Sequence, residues 1–178
     1  MSKIVQNSLK ATLRKELKEK IKNIPLESKK IQSSHVTQKI LGSEEFKNAK
    51  GISLYLSTST ELDTTEILKA SFNSKKSVFV PTYSGELMEM VRLKDWEDFE
   101  NLPLTKWNIK QPSIDENREN AMECTQLDIF FVPGVGFTTK GDRMGHGMGY
   151  YDKYFTRYFE KFNRNGTKLF ALSFNEQI

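Results

Sequence analysis

Leu9, Leu13, Leu17, Ile21 and Ile24 recur every three or four positions among lysines and glutamates. That spacing predicts an amphipathic helix, which Pro25 ends. A second helix is expected from about Ser28 to Leu41, with Gly42 as its stop. The pattern then changes to alternation: Ile52, Leu54 and Leu56 with Ser53 and Tyr55 between them read as a strand. The segment after Thr60 reads as helix through Leu68 and Phe72, and short strands are expected at Val78 to Pro81 and Met88 to Leu93. Asp95 to Phe99 reads as a helical turn, and the stretch from Leu102 to Asn120, with Pro103 and Pro112, as loop. A buried strand from Leu127 to Val132, a glycine-rich run, a helix to about Phe162 and a strand from Leu169 to Phe174 complete the pattern. Strands alternating with helices predict a single α/β domain over 1–178. Its mainly parallel sheet is flanked by helices in three Rossmann-like layers, and ligands bind beyond the carboxyl ends of the strands.

Composition narrows the functions open to such a domain. The 178 residues carry 37% hydrophobic and 28% charged side chains and a net charge of +4, a polar but globular balance. The positive charge is spread out, without a basic stripe interleaved with stacking aromatics, so it points to acidic small molecules and not to nucleic acid. Cys124 is the only cysteine, which excludes a disulfide framework and a cysteine-based zinc site. No apolar stretch reaches the ~18 residues of a membrane span, so neither a membrane partner nor a signal peptide is expected. The expectation is a monomer in the cytoplasm.

Candidate chemistry concentrates in the run VPGVGFTTKGDRMGHGMGYYDKYF, since six of the ten glycines lie between Gly134 and Gly149. Gly145, Gly147 and Gly149 alternate with Met144, His146 and Met148, just before the helix that starts near Tyr150. Glycines let the backbone approach a ligand closely, and a helix N-terminus offers unpaired N–H groups at a positive dipole end. Together they describe an anion cradle of the kind that takes phosphate. The spacing is neither a Walker loop nor GxGxxG. Asp152, in the first helical turn, reads equally as a carboxylate that stabilises the helix dipole and as a ligand for the magnesium accompanying a nucleotide.

The same block closely resembles the 5-formyltetrahydrofolate cyclo-ligase (methenyltetrahydrofolate synthetase) signature, PGxxF followed by G-x-R-[LM]-G-x-G-x-G-Y-Y-D. The opening KATLRKELK, the segments ISLYLSTSTELDT, MEMVRL and TKWNIKQP, and the closing ALSFNEQI are similar to the family's corresponding stretches, in the right order. The resemblance implies an ATP- and magnesium-dependent ligase of one-carbon metabolism that converts 5-formyltetrahydrofolate to 5,10-methenyltetrahydrofolate, releasing ADP and phosphate. It implies that the formyl oxygen takes up the γ-phosphoryl group and that N10 then closes the ring. Such chemistry asks the protein for positioning, charge neutralisation and exclusion of water.

Site residues follow from the resemblance. Lys10 and Arg14, one helical turn apart, and Arg143, with its bidentate fork, are implied at the phosphates, with Lys10 and Arg143 acting in catalysis. The nucleotide site is implied to continue through Met144, Gly145, His146, Gly147, Met148, Gly149, Tyr150 and Tyr151. Glu61 is implied to accept hydrogen bonds from the pterin, and Leu56, Met88, Met90 and Trp107 to line the folate pocket. His146 through Tyr150 are implied to serve folate as well, and Asp152 to bind the metal. His146 and Met148 stand where relatives vary and several have basic residues. Relatives also continue beyond the ALSFNEQI-like stretch with a further acidic residue and strand, so a truncated C-terminus with an exposed sheet edge is expected here. A folate- or nucleotide-binding protein with impaired turnover is the alternative expectation.

Overall fold

The structure is a computed structural model and describes residues 3–105, 109–124 and 126–178, with side chains from residue 7 onward. Two long helices open the chain, α1 (Lys3–Asn23) and α2 (Leu26–Gly42), separated by Pro25 as the periodicity requires. The short helix α3 (Glu44–Asn48), unanticipated, is capped by the Ser43 hydroxyl, which accepts from Phe46 N at 3.2 Å. Then come β1 (Gly51–Ser53), α4 (Thr65–Asn73), β2 (Ser77–Ser84), β3 (Leu87–Leu93), α5 (Trp96–Glu100) and β4 (Ile129–Val132). Within the glycine run, β5 (Gly136–Phe137) pairs with β6 (Arg143–Met144); α6 (Tyr150–Lys161) and β7 (Lys168–Ala171) follow, and a 3₁₀ turn spans Asn175–Gln177.

The main sheet has the order β3-β2-β1-β4-β7. The pairs β1 with β2, β1 with β4 and β4 with β7 are parallel, and β3 is an antiparallel edge. Alternation along the strands separates the two cores. Ile52, Val78, Val80, Ile129 and Phe131 face a cluster that includes Ile21, Ile40, Phe46 and Ile67 from α1 to α4. Phe79, Met88, Met90, Phe130 and Val132 face Tyr151, Tyr154 and Tyr158 of α6. The three-layer α/β expectation therefore holds.

Several boundaries differ from the pattern. The strand expected through Leu56 pairs only as far as Ser53, with Leu54 N donating to Phe79 O at 3.0 Å, and the helix expected after Thr60 starts at Thr65. Between them polar side chains satisfy the backbone locally: Thr64 Oγ1 donates to Tyr55 O at 2.7 Å and Tyr55 Oη to Leu62 O at 3.0 Å. The strands expected at 78–81 and 88–93 form one longer hairpin that runs through Pro81. Pro81 is tolerated because β1 accompanies β2 only to Phe79, which leaves the proline where β2 is paired on one side. The last strand ends at Ala171, not Phe174, since the backbone turns into the 3₁₀ segment, where Gln177 Oε1 accepts from Phe174 N at 2.8 Å.

Packing of α6 depends on Tyr158, fully buried, whose hydroxyl accepts from Leu127 N at 2.7 Å at the entry to β4. Tyr158→Phe keeps the ring and strands that N–H, so unfolding free energy should fall by about 1–3 kcal/mol. Urea titration with an unchanged m-value checks this.

Candidate functional site

A cavity of about 1170 Å³ opens at the carboxyl ends of the parallel strands. Leu56 to Glu61 after β1, Tyr83 at the end of β2 and Pro133 after β4 contribute to its walls. Such an end is where diverging loops leave a crevice in an open α/β sheet. The glycine run supplies the next wall, with Arg143, Gly145 to Tyr151 and Asp152 all lining the cavity, and Arg14 enters from α1.

Backbone conformation explains the glycines. Gly147 has φ 117° and Gly149, the N-cap of α6, has φ 69°, both outside the range that a side chain accepts readily. No side chain caps α6, so its first N–H groups remain available to a ligand. Arg14 Nε donates to Gly145 O at 2.9 Å and so ties α1 to the loop. Arg143 Nη1 donates to Pro133 O at 3.3 Å, and its Nη2 meets Asp152 Oδ1 at 2.6 Å. The two guanidiniums and the α6 N-terminus bring positive potential to one mouth of the cavity.

Glu61 lies on another part of the wall. Its Oε2 accepts from Thr58 N at 2.9 Å and Thr58 Oγ1 at 3.0 Å. That fixes the carboxylate by local bonds, while Oε1 takes no hydrogen bond from a described residue. Burial raises the pKa of Tyr83 and of Tyr151 well above the usual phenol range, and the Glu61 charge adds to this. Tyr151 Oη is buried without a hydrogen-bond partner among the described residues. Tyr83 and Tyr150 meet edge to face with centroids 4.9 Å apart, giving the cavity a flat-ring contact surface.

The cavity thus gathers Arg14, Leu56, Glu61, Arg143, Gly145, His146, Gly147, Met148, Gly149, Tyr150, Tyr151 and Asp152 from the expected set. Met144 is adjacent in β6, where its carbonyl accepts from Val135 N at 2.7 Å, and it is not part of the lining. Lys10 is exposed on α1, one turn from Arg14 and also outside the lining. Met88 and Met90 do not reach the cavity either. Both are buried in the α6-facing core, and Met90 Sδ accepts from Ser53 Oγ at 3.1 Å. Trp107 lies outside the described residues. Sequence reasoning missed Tyr83, Lys110 and Gln111 as lining residues, although Lys110 and Gln111 belong to the family-like run TKWNIKQP.

An open α/β sheet with a glycine-rich run leading into a helix N-terminus beside a ring-lined cavity is the architecture of an enzyme that acts on small metabolites. The chain belongs to the 5-formyltetrahydrofolate cyclo-ligase family, whose profile it matches over residues 6–178, and it is an enzyme of that family. It is 39% identical over 180 residues to 5-formyltetrahydrofolate cyclo-ligase of Mus musculus, covering 100% of this chain and 88% of the relative. A probable 5-formyltetrahydrofolate cyclo-ligase of Caenorhabditis elegans is 37% identical over 172 residues, covering 96% and 84%. Among solved structures, Aquifex aeolicus 5,10-methenyltetrahydrofolate synthetase superposes with TM-score 0.73 at 26% identity, covering 95% of this chain and 79% of that one.

His146 carries a testable electrostatic consequence. Partial burial lowers its pKa from the usual 6.5; Glu61 opposes the shift, and Lys18, Arg143 and Arg14 reinforce it. A base with a lowered folded-state pKa is neutral in both states above pH about 6.5; below that the unfolded chain binds the proton first, so stability falls as pH falls. An NMR titration should give a His146 midpoint below 6.5, and inorganic phosphate should move it upward. His146→Asn should flatten the acid limb of the stability curve.

Proposed function

We propose that this enzyme closes 5-formyltetrahydrofolate to 5,10-methenyltetrahydrofolate with consumption of Mg-ATP. The observation that carries this reading is the glycine-rich N-terminus of α6, with Arg14 and Arg143, in the same cavity as Glu61 and the Tyr83–Tyr150 ring pair. Triphosphate suits the first group, and the flat, donor-bearing pterin suits the second.

The residues fit both cosubstrate and metal. Gly147 and Gly149 leave the α6 N-terminus accessible to phosphate oxygens, and Arg14 spends only Nε on the loop. Among the described residues no group of three or more His, Cys, Asp or Glu side chains comes together. Asp152, 78% exposed, is then the protein ligand for a magnesium ion whose remaining positions are phosphate oxygens and water, the coordination this ion favours. When bound, Mg-ATP supplies the phosphoryl group that makes the formyl oxygen a competent leaving group. The chain's own residues orient the reactants and neutralise charge. Glu61 accepts from N–H donors of the folate, Arg14 and Arg143 draw the phosphates to the α6 N-terminus, and the cavity walls reduce access of water to the reactants.

The deciding experiment follows methenyl product by its ultraviolet absorbance, with ATP and magnesium present and then singly omitted. Product formation that requires both supports the reading. Folate and nucleotide binding without product would instead select a binding protein.

Gly147→Val puts a branched side chain at φ 117° and against the approach of phosphate. ATP affinity should fall at least about tenfold while circular dichroism stays native; unchanged affinity in a folded variant would remove the α6 N-terminus from the nucleotide site. Arg143→Ala should lower kcat by about 10² and change the folate KM little, because charge stabilisation matters most during phosphoryl transfer. Equal kcat in the variant and the parent would remove Arg143 from the reaction.

A further inference from the structure

One cavity wall is a tongue built from residues 103–105 and 109–111. It is folded on itself: Gln111 N donates to Pro103 O at 3.1 Å and Thr105 N to Ile109 O at 2.9 Å. It is also fastened to α5, where Lys110 Nζ donates to Phe99 O at 2.9 Å. The Lys110 ammonium is thereby committed to helix carbonyls, a favourable place for a cation. Gln111 fastens the tongue to the end of β2, with Nε2 3.3 Å from both Thr82 Oγ1 and Tyr83 O.

Those contacts decide which way the amide points. The buried Thr82 hydroxyl donates its single hydrogen to Pro112 O at 2.9 Å, so toward Gln111 it can only accept. Tyr83 O can only accept too. A group facing two acceptors must be the NH2, so the Gln111 carbonyl oxygen turns away from β2. Oε1 takes no hydrogen bond from a described residue, and it is not among the sealed unpartnered atoms, which are the Tyr151 and Tyr154 hydroxyls. Since Gln111 lines the cavity, Oε1 is an open acceptor on its wall. The Tyr83 and Tyr150 rings line the same cavity, where Glu61 Oε1 is a second uncommitted acceptor.

We propose that Gln111 is a specificity-determining residue, whose Oε1 accepts a hydrogen bond from a ring N–H or amino group of the bound heterocycle. The inference rests on the folate reading above. An acceptor held this way discriminates by chemistry: a ligand edge that lacks the donor leaves Oε1 facing it unpaired.

Calorimetry on the full chain tests this with 5-formyltetrahydrofolate, with its analogues methylated at ring N3 or at the 2-amino group, and with ATP. Gln111→Met, which also gives up the Nε2 contacts to Thr82 and Tyr83, should lower the melting temperature slightly, weaken 5-formyltetrahydrofolate binding about tenfold and leave ATP affinity unchanged. At least one methylated analogue should bind the parent protein about tenfold more weakly than the natural folate, and that penalty should vanish in Gln111→Met. A penalty that persists in full, unchanged folate affinity, or equal losses for folate and ATP would each overturn the proposal. If Gln111→Met does not fold, Gln111→Asn, which withdraws the oxygen by one methylene, carries the same comparison. Failure of the parent protein to bind 5-formyltetrahydrofolate would overturn the folate reading as well, whereas parent binding with an indifferent Gln111 variant overturns this inference alone.

Discussion

The seating of α6 on the sheet is the constraint from which the site follows. Tyr154 and Tyr158 are fully buried, and Phe130 of β4 meets Phe155 and Tyr158 edge to face at 5.2 and 4.9 Å. Aromatic packing of this kind carries large buried area and a preferred orientation, so α6 has little freedom to slide. Its N-terminus is therefore held at the carboxyl end of β4, and the glycine run must cover the remaining distance from Pro133 to Tyr150. The positive φ at Gly147 and Gly149 is part of that path. A helix held less firmly would offer the same N–H groups without a defined direction, and direction is what an anion site needs.

Fastening extends to both ends of the chain. Gln177, buried in the terminal 3₁₀ turn, donates through Nε2 to Gly134 O at 2.7 Å, and Arg14 of α1 holds Gly145 O. The glycine run is thus gripped near its start by the last residues and near its end by the first helix. Loops that bind ligands are commonly the least stable parts of a fold, and here polar side chains from distant segments supply the order that a loop of small residues lacks. Both grips leave the tips at Gly147 and Met148 open to the cavity.

The fold was legible where periodicity and burial agree. The α1 stripe, the α6 aromatic face and the alternation through β2 and β4 each show in the residues because one face of each element is packed. The sequence misled where polar side chains replace secondary structure, as at Tyr55 to Thr64. There, hydrogen bonds among Ser57, Thr58, Glu61, Asp63 and Thr64 make a stable loop that no hydrophobic period reports. The site was half legible for a related reason. Glycine spacing and a following helix signal an anion cradle locally, whereas Tyr83 and Gln111 enter the cavity only because β2 and the tongue meet in space. Met88 and Met90 show the reverse case, since alternation sends both side chains to the α6 core and not to the cavity.

The Arg143–Asp152 pair joins these points. A 2.6 Å contact would be strong in a dry interior, yet the Asp152 side chain is 78% exposed, and water screens such pairs to roughly 0–1 kcal/mol. Coulomb attraction therefore orients the two side chains in the ligand-free protein without locking them. On the proposed reading, a triphosphate would offer Arg143 several charged oxygens inside the cavity, where the same attraction is worth more. A divalent ion arriving with it would offer Asp152 a doubly charged partner. Exchanging one weak surface pair for two stronger interactions would make the Arg143–Asp152 pairing, on that reading, a resting arrangement that ligand binding displaces.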